Sequence, residues 1–138
     1  MKWFKLEELV DRKTFQQFGY TCWQRFPPDS LTMLDNLREF FGMTLICNNW
    51  LQAGQFSFRG YRPYWCAVGA KGSYHRKGMA FDLDVANHTA EEARQQILAD
   101  QDNPLLSLIY RLEGGIDWLH VDCGSVPEGK KRIYVFKA

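Results

Sequence analysis

Apolar residues recur first at helical spacing and later at strand spacing, and the change of period separates two kinds of element along the chain. Leu6 to Val10 and Phe15 to Phe18 read as short helical pieces. After Pro27 and Pro28, an N-cap at Asp29 or Ser30 opens a helix in which Leu31, Leu34, Leu37 and Phe41 recur at helical spacing, with Gly42 as its stop. Thr44 to Cys47 is short, apolar and partly β-branched, and reads as a strand. The stretch from Asn48 to Trp65 is polar, aromatic and punctuated by glycine, which suits a loop around a site.

From Met79 to Val85 the period becomes two. Phe81, Leu83 and Val85 alternate with Ala80, Asp82 and Asp84, which predicts a strand with one buried face and two acids on the other. Thr89 and Glu92 form a capping-box pattern opening a helix through about Leu98, and Pro104 at a first-turn position starts a second helix ending near Gly114 and Gly115. Trp118 to Asp122 and Arg132 to Phe136 read as two strands joined by a turn containing Pro127 and Gly129. This order of elements predicts an α+β fold with a central, mainly antiparallel sheet flanked by helices. With 138 residues, 46% of them hydrophobic, the chain has material for one core, so residues 1–138 are expected to form a single domain.

Charge narrows the partners. Seventeen basic against sixteen acidic side chains leave a net charge of +1, which gives no bulk attraction to nucleic acid or to an anionic membrane, and no obligate protein partner is evident. The N-terminal stretch Met1 to Lys13 meets a charge every few residues and offers no apolar run for a signal peptide or a membrane span. The chain is therefore expected to be soluble and cytoplasmic as synthesised. Cys22, Cys47, Cys66 and Cys123 form no CxxC pair and read as buried free thiols.

Candidate chemistry rests on two of the three histidines. His75 lies in a glycine-containing loop before the period-2 strand, Asp82 projects from that strand, and His120 sits in the later strand Trp118 to Asp122. Together they would supply three ligands to a catalytic zinc ion and leave a fourth position for water. Gly78 would let the loop fold back. Asp122, on the same strand face as His120, is a candidate acceptor for a ligand imidazole, at His120 or at His75. Asp117, three residues before His120, would face the opposite side of a regular strand and joins the site only if it lies in the turn before the strand begins. Asp84 and His88 read as solvent-facing residues.

At these positions the chain resembles the zinc D-alanyl-D-alanine peptidases and related phage endolysins, which share a fold with the Hedgehog signalling domain. The resemblance is carried by SxHxxGxAxD, present as Ser73, His75, Gly78, Ala80 and Asp82, and by a WxHVD-like strand at Trp118, His120, Val121 and Asp122. A weaker match lies upstream, where residues 37–50 followed by Arg59-Gly60-Tyr61-Arg62 look like the family's helix, strand and GYR segment. The resemblance implies a Hedgehog/D,D-peptidase-like fold in which His75, Asp82 and His120 bind Zn2+. It also implies that Arg62 steadies the substrate carbonyl or its developing oxyanion, and that Asp117 is the general base, in a position where many relatives carry glutamate. The implied activity is hydrolysis of peptidoglycan peptides, as a carboxypeptidase or an endopeptidase. The implied setting is a phage or prophage lysis enzyme that reaches the cell wall after release or as part of a phage particle.

Three points stay open in the sequence. Arg59, three residues from Arg62, competes for the oxyanion role. Trp50, Tyr61, Tyr64 and Trp65 either line a groove for glycan or peptide or pack beneath the loop, and Ser73 serves either a turn or a hydrogen bond behind the ligands. Two rival readings of the whole are a catalytically silent relative that binds wall peptide or another ligand in the same groove, and a structural zinc site closed by Cys123 as a fourth ligand.

Overall fold

The structure, a computed structural model, describes residues 1–137 as a mixed α and β fold around one five-stranded sheet. The strands are β1 (Leu45–Ile46), β2 (Ala80–Val85), β3 (Arg111–Gly114), β4 (Leu119–Asp122) and β5 (Tyr134–Lys137), in the spatial order β1-β2-β4-β3-β5. All neighbours are antiparallel except β3 and β5, which run parallel. The helices are α1 (Arg12–Phe18), α2 (Pro28–Phe41) and α3 (Ala90–Ala99).

Residue parity gives the sheet two different faces. Phe81 and Leu83 of β2, Leu112 of β3, and Leu119 and Val121 of β4 are fully or almost fully buried and belong to one core cluster with Met33, Leu34 and Leu37 of α2 and Ala93 and Ile97 of α3. The alternate residues, Ala80 and Asp82 of β2, Arg111 and Glu113 of β3, and His120 and Asp122 of β4, project on the other side. In β2 this second face is covered as well: Asp82 is 5% exposed and Ala80 fully buried. The period-2 pattern predicts only one buried face there. Residues of the chain between β1 and β2 lie over Asp82: Arg62 and His75 contact its carboxylate, and its amide donates to the Arg59 carbonyl.

Most helical expectations correspond to elements, with shifts at the ends. α2 starts at Pro28 with Pro27 as its cap, two residues before Asp29 and three before Ser30. The fixed φ of proline suits a first helical position, and Ser30 lies inside the first turn, where its hydroxyl donates to the Pro27 carbonyl at 2.8 Å. Thr89 and Glu92 form the capping box that opens α3.

Two expectations are corrected. The helix predicted from Pro104 to Gly114 is a single 3-10 turn, Pro104–Leu106, followed by strand β3. Leu105, Leu108, Ile109 and Leu112 carry helical spacing, but pairing of Arg111 and Leu112 with β4 and of Arg111 to Gly114 with β5 outweighs that local preference. The last two strands are not a hairpin either. β3 lies between β4 and β5, so β5 pairs with β3 alone.

Two glycines fix how the covering segment lies. Gly78 has φ 68°, and a Cβ there would run into the Arg25 carbonyl oxygen. Gly60 is pressed against Leu9, whose carbonyl accepts from Tyr61 N at 2.8 Å. Gly78→Ala is expected to cost at least about 2 kcal/mol of stability, because it adds a backbone clash to a left-handed φ. Gly115→Ala, at φ 75° with open space around it, is expected to cost only about 1 kcal/mol. Urea denaturation of the two variants measures the difference, and equal losses would contradict the packing described.

Candidate metal centre

His75 is placed by a 3-10 turn, Tyr74–Lys77, whose N-cap Ser73 accepts from the His75 amide at 3.2 Å. His75 is 2% exposed, and its Nδ1 donates to the Gly60 carbonyl at 2.9 Å, which turns Nε2 toward the sheet. That nitrogen lies 3.3 Å from Asp82 Oδ1. His120 is directly opposite Asp82 in the β2–β4 register, and its Nδ1 lies 2.9 Å from the same oxygen. Its other nitrogen, Nε2, donates to Asp122 Oδ2 at 2.8 Å. Asp122 is in turn gripped by Arg111, with contacts of 2.9, 3.1 and 3.2 Å, and by the Gly124 amide at 3.0 Å.

The donor set fits a metal ion. One ligand atom each from His75, Asp82 and His120 can be chosen so that all lie within 4.8 Å of one another, and all three residues are buried. Tetrahedral zinc with bonds of about 2.0–2.1 Å separates its ligand atoms by roughly 3.3 Å, close to the His75–Asp82 and His120–Asp82 spacings. Each imidazole has its outward nitrogen held by an oxygen acceptor, the arrangement that orients metal-binding histidines. Asp122 therefore serves His120, and the Gly60 carbonyl serves His75. No cysteine joins the group: Cys123 donates its thiol to the Met79 carbonyl at 3.6 Å and lines a separate cavity with Tyr110 and Lys130. Burial pushes that thiol up to about 11.

The electrostatics are those of buried groups compensating one another. Burial alone would raise the Asp82 carboxyl, but hydrogen bonds to His120 and His75 outweigh it and hold the group well below the usual carboxylate range. Burial likewise works against a charge on His120, yet Asp122 and Asp82 on either side raise its pKa to about 9. Arg62, 9% exposed, donates Nη2 to Asp82 Oδ2 at 3.1 Å and Nε to the Phe58 carbonyl at 2.8 Å. Burial pulls its pKa below the ordinary guanidinium value, opposed by the adjacent Asp82.

The triad opens into a cavity of about 520 Å³ whose walls include Arg62, Ser73, Tyr74, Trp118 and Phe136. Asp117 is not among its lining residues. Arg94 of α3 donates to the Ile116 and Trp118 carbonyls at 3.0 and 3.1 Å, and with that turn so held Trp118 lines the triad cavity while Asp117 lines another, beside Asp84, His88 and Arg94. Asp117 therefore lies on the side away from His120, as strand parity predicts, and not in the place that the resemblance implies. Arg59 is engaged elsewhere, forming a two-point ion pair with Asp84 at 3.1 and 2.9 Å. Trp50 is an anchor of the fold: it is buried and donates Nε1 to the Val10 carbonyl at 2.8 Å. Tyr61 is buried too, whereas Tyr64 is 92% exposed.

Sequence reasoning missed Glu113. Extending the β3–β4 register by one pair sets it opposite His120, on the face that carries Arg111, and it lines the triad cavity. The signal was the Arg111-Leu112-Glu113 alternation, masked by the helical spacing of the leucines before it.

In comparisons with known proteins the chain matches no family model, no curated protein and no solved structure. No helix among the described residues is long and apolar enough to cross a membrane.

Calorimetric titration is expected to show one Zn2+ per chain, lost in Asp82→Asn and His120→Ala and weakened about 10- to 100-fold in Asp122→Asn. A proton and a metal exclude each other on His120 Nδ1, so affinity should climb with pH and level off above about 9. The stability that His120 draws from its carboxylates has the opposite dependence. It is fully present below the ordinary imidazole value of 6.5 and lost as pH rises through about 9. A metal affinity indifferent to pH between 6 and 9 would contradict the assignment of His120 as a ligand.

Proposed function

We propose that this chain is a zinc-dependent peptidase of the Hedgehog/D,D-peptidase type that hydrolyses peptide bonds in bacterial peptidoglycan, in keeping with a phage or prophage lysis enzyme. The observation that carries the reading is the convergence of His75, Asp82 and His120 in one open cavity, with an oxygen acceptor behind each imidazole. Residues that resemble the peptidase motifs, Ser73 to Asp82 and Trp118 to Asp122, are the ones that build the cavity floor and the groups behind it. That coincidence supports the substrate class.

A zinc ion held by these three side chains would polarise a scissile carbonyl and acidify a water molecule beside it. The chain's own groups do the rest. His75 Nε2, Asp82 Oδ1 and His120 Nδ1 hold the ion. Arg62 has one nitrogen on the Phe58 carbonyl and one on Asp82, while its third, Nη1, lies against Gly69, where a side chain would collide with it. From there it donates to the oxygen on which negative charge develops. Glu113 takes the proton of the attacking water at a carboxylate oxygen and returns it to the leaving amine. Asp117 occupies the sequence position expected of that base, but Glu113 has the place in the cavity.

The position of Asp117 favours one second reading, a relative that binds wall peptide and metal without cutting. Digestion of purified peptidoglycan, with fragments identified by mass, separates the two. Wild type is expected to release peptide fragments, Glu113→Gln to lose about 10²- to 10⁴-fold in rate, and Asp117→Asn to stay within about 3-fold. Loss in Asp117→Asn with a fully active Glu113→Gln would return the base to Asp117. Stoichiometric zinc with no fragment from any wall preparation would favour the binding relative.

A further inference from the structure

The triad cavity is not a dead end. A second hollow of about 280 Å³ lies beside it, walled by Phe56, Phe58 and Arg59. Arg62, Val68, Asp82 and Trp118 line both. The two hollows thus meet at Asp82, the middle ligand, and extend from it in two directions. One runs toward Tyr74 and Phe136, the other toward Phe56 and Phe58. Their shared rim is apolar and open to solvent, with Val68 48% and Trp118 38% exposed.

The arginines in this trough are already engaged. Three arginines line it and no lysine does. Arg111 grips Asp122, Arg59 forms its two-point pair with Asp84, and Arg62 is bonded to Asp82 and the Phe58 carbonyl. Reading the terminal carboxylate of a peptide takes a cation with two free donors in fork geometry, or an equivalent set of charge-assisted bonds. Arg62 retains a single nitrogen outside these contacts, and the other two guanidinium groups are held by carboxylates.

Resting on the peptidase reading above, we infer that the site takes an internal segment of an extended peptide, with residues bound on both sides of the scissile bond, and acts as an endopeptidase. The chain ends of the substrate lie outside the trough. Phe56 and Phe58 line one side and Tyr74 and Phe136 the other, with Arg59 stacked on Phe56 and Arg111 on Tyr74 and Phe136; the remaining ring surface takes uncharged side chains and peptide planes. The single free nitrogen of Arg62 serves the reacting carbonyl at the junction.

The test uses the zinc-loaded chain and three probes: a synthetic stem pentapeptide ending in D-Ala-D-Ala with a free carboxylate, the same peptide acetylated and amidated at its ends, and a cross-linked stem-peptide dimer. Binding is read by NMR titration and cleavage by mass. The blocked pentapeptide is expected to bind within about 3-fold of the free acid, to shift signals of Phe56 and Phe58 as well as Tyr74 and Phe136, and to be cut at an internal bond, with the dimer cut at least as fast. Phe56→Ala should weaken peptides that span both hollows about 5-fold and leave peptides confined to the Tyr74 side unchanged.

Preference for the free acid by more than about 10-fold, with release of one terminal residue, overturns the inference and leaves the peptidase reading standing. Absence of both cleavage and shifts for all three probes overturns the two together.

Discussion

A carboxylate buried at the centre of a sheet has to be compensated, and the site follows from how Asp82 is compensated. Withdrawing such a group from water costs several kcal/mol even after relaxation, so it persists only where opposite charge and donors surround it. Asp82 turns one oxygen to His75 and His120 and the other to Arg62. Its backbone takes part as well, since its amide donates to the Arg59 carbonyl at 2.7 Å. The segment between β1 and β2 is thereby fastened across the sheet at several points within a few residues of each other.

One layer further out, the same logic repeats. Asp122 is completely buried and answers to His120, Arg111 and the Gly124 amide, so the second imidazole is held between two carboxylates that are themselves anchored. The Gly60 carbonyl plays the equivalent part for His75, and Gly60 can present it only because it lacks a side chain where it meets Leu9. A floor built this way is preorganised: each ligand is set by a partner that packing has already fixed. The wall above it is different in kind. Residues 67–72 are exposed throughout, and Val68, Gly69, Ala70 and Gly72 all line the triad cavity. A fixed floor under an open, small-residue wall is in keeping with the extended peptide proposed as substrate.

Much of this was legible in the sequence where a residue's role depends on short-range chemistry. The alternation from Ala80 to Val85 placed Asp82 on a strand. The parity of Asp122 with His120 marked it as an acceptor for one of the two imidazoles, which is His120, and Gly78 marked the place where the loop folds back. Elements decided by distant pairing were not legible. The leucines before β3 carry a helical period, and only the insertion of that strand between β4 and β5 overrides it. Missing β3 hid Arg111 and Glu113, the two residues it adds to the polar face. Asp117 shows the converse, a motif position whose side chain is turned away by two carbonyl bonds from Arg94, a residue far from it in sequence. Trp50, one of an aromatic group that could line a groove or pack beneath the loop, and Arg59, the rival of Arg62, are engaged by Val10 and Asp84.

Crystals grown with zinc and measured on both sides of the zinc absorption edge would show whether His75, Asp82 and His120 hold one metal ion. A single anomalous peak is expected about 2.0–2.2 Å from His75 Nε2, Asp82 Oδ1 and His120 Nδ1, with no sulfur in reach. A peak at Cys123, or the absence of any peak at the triad with the metal in excess, would contradict it.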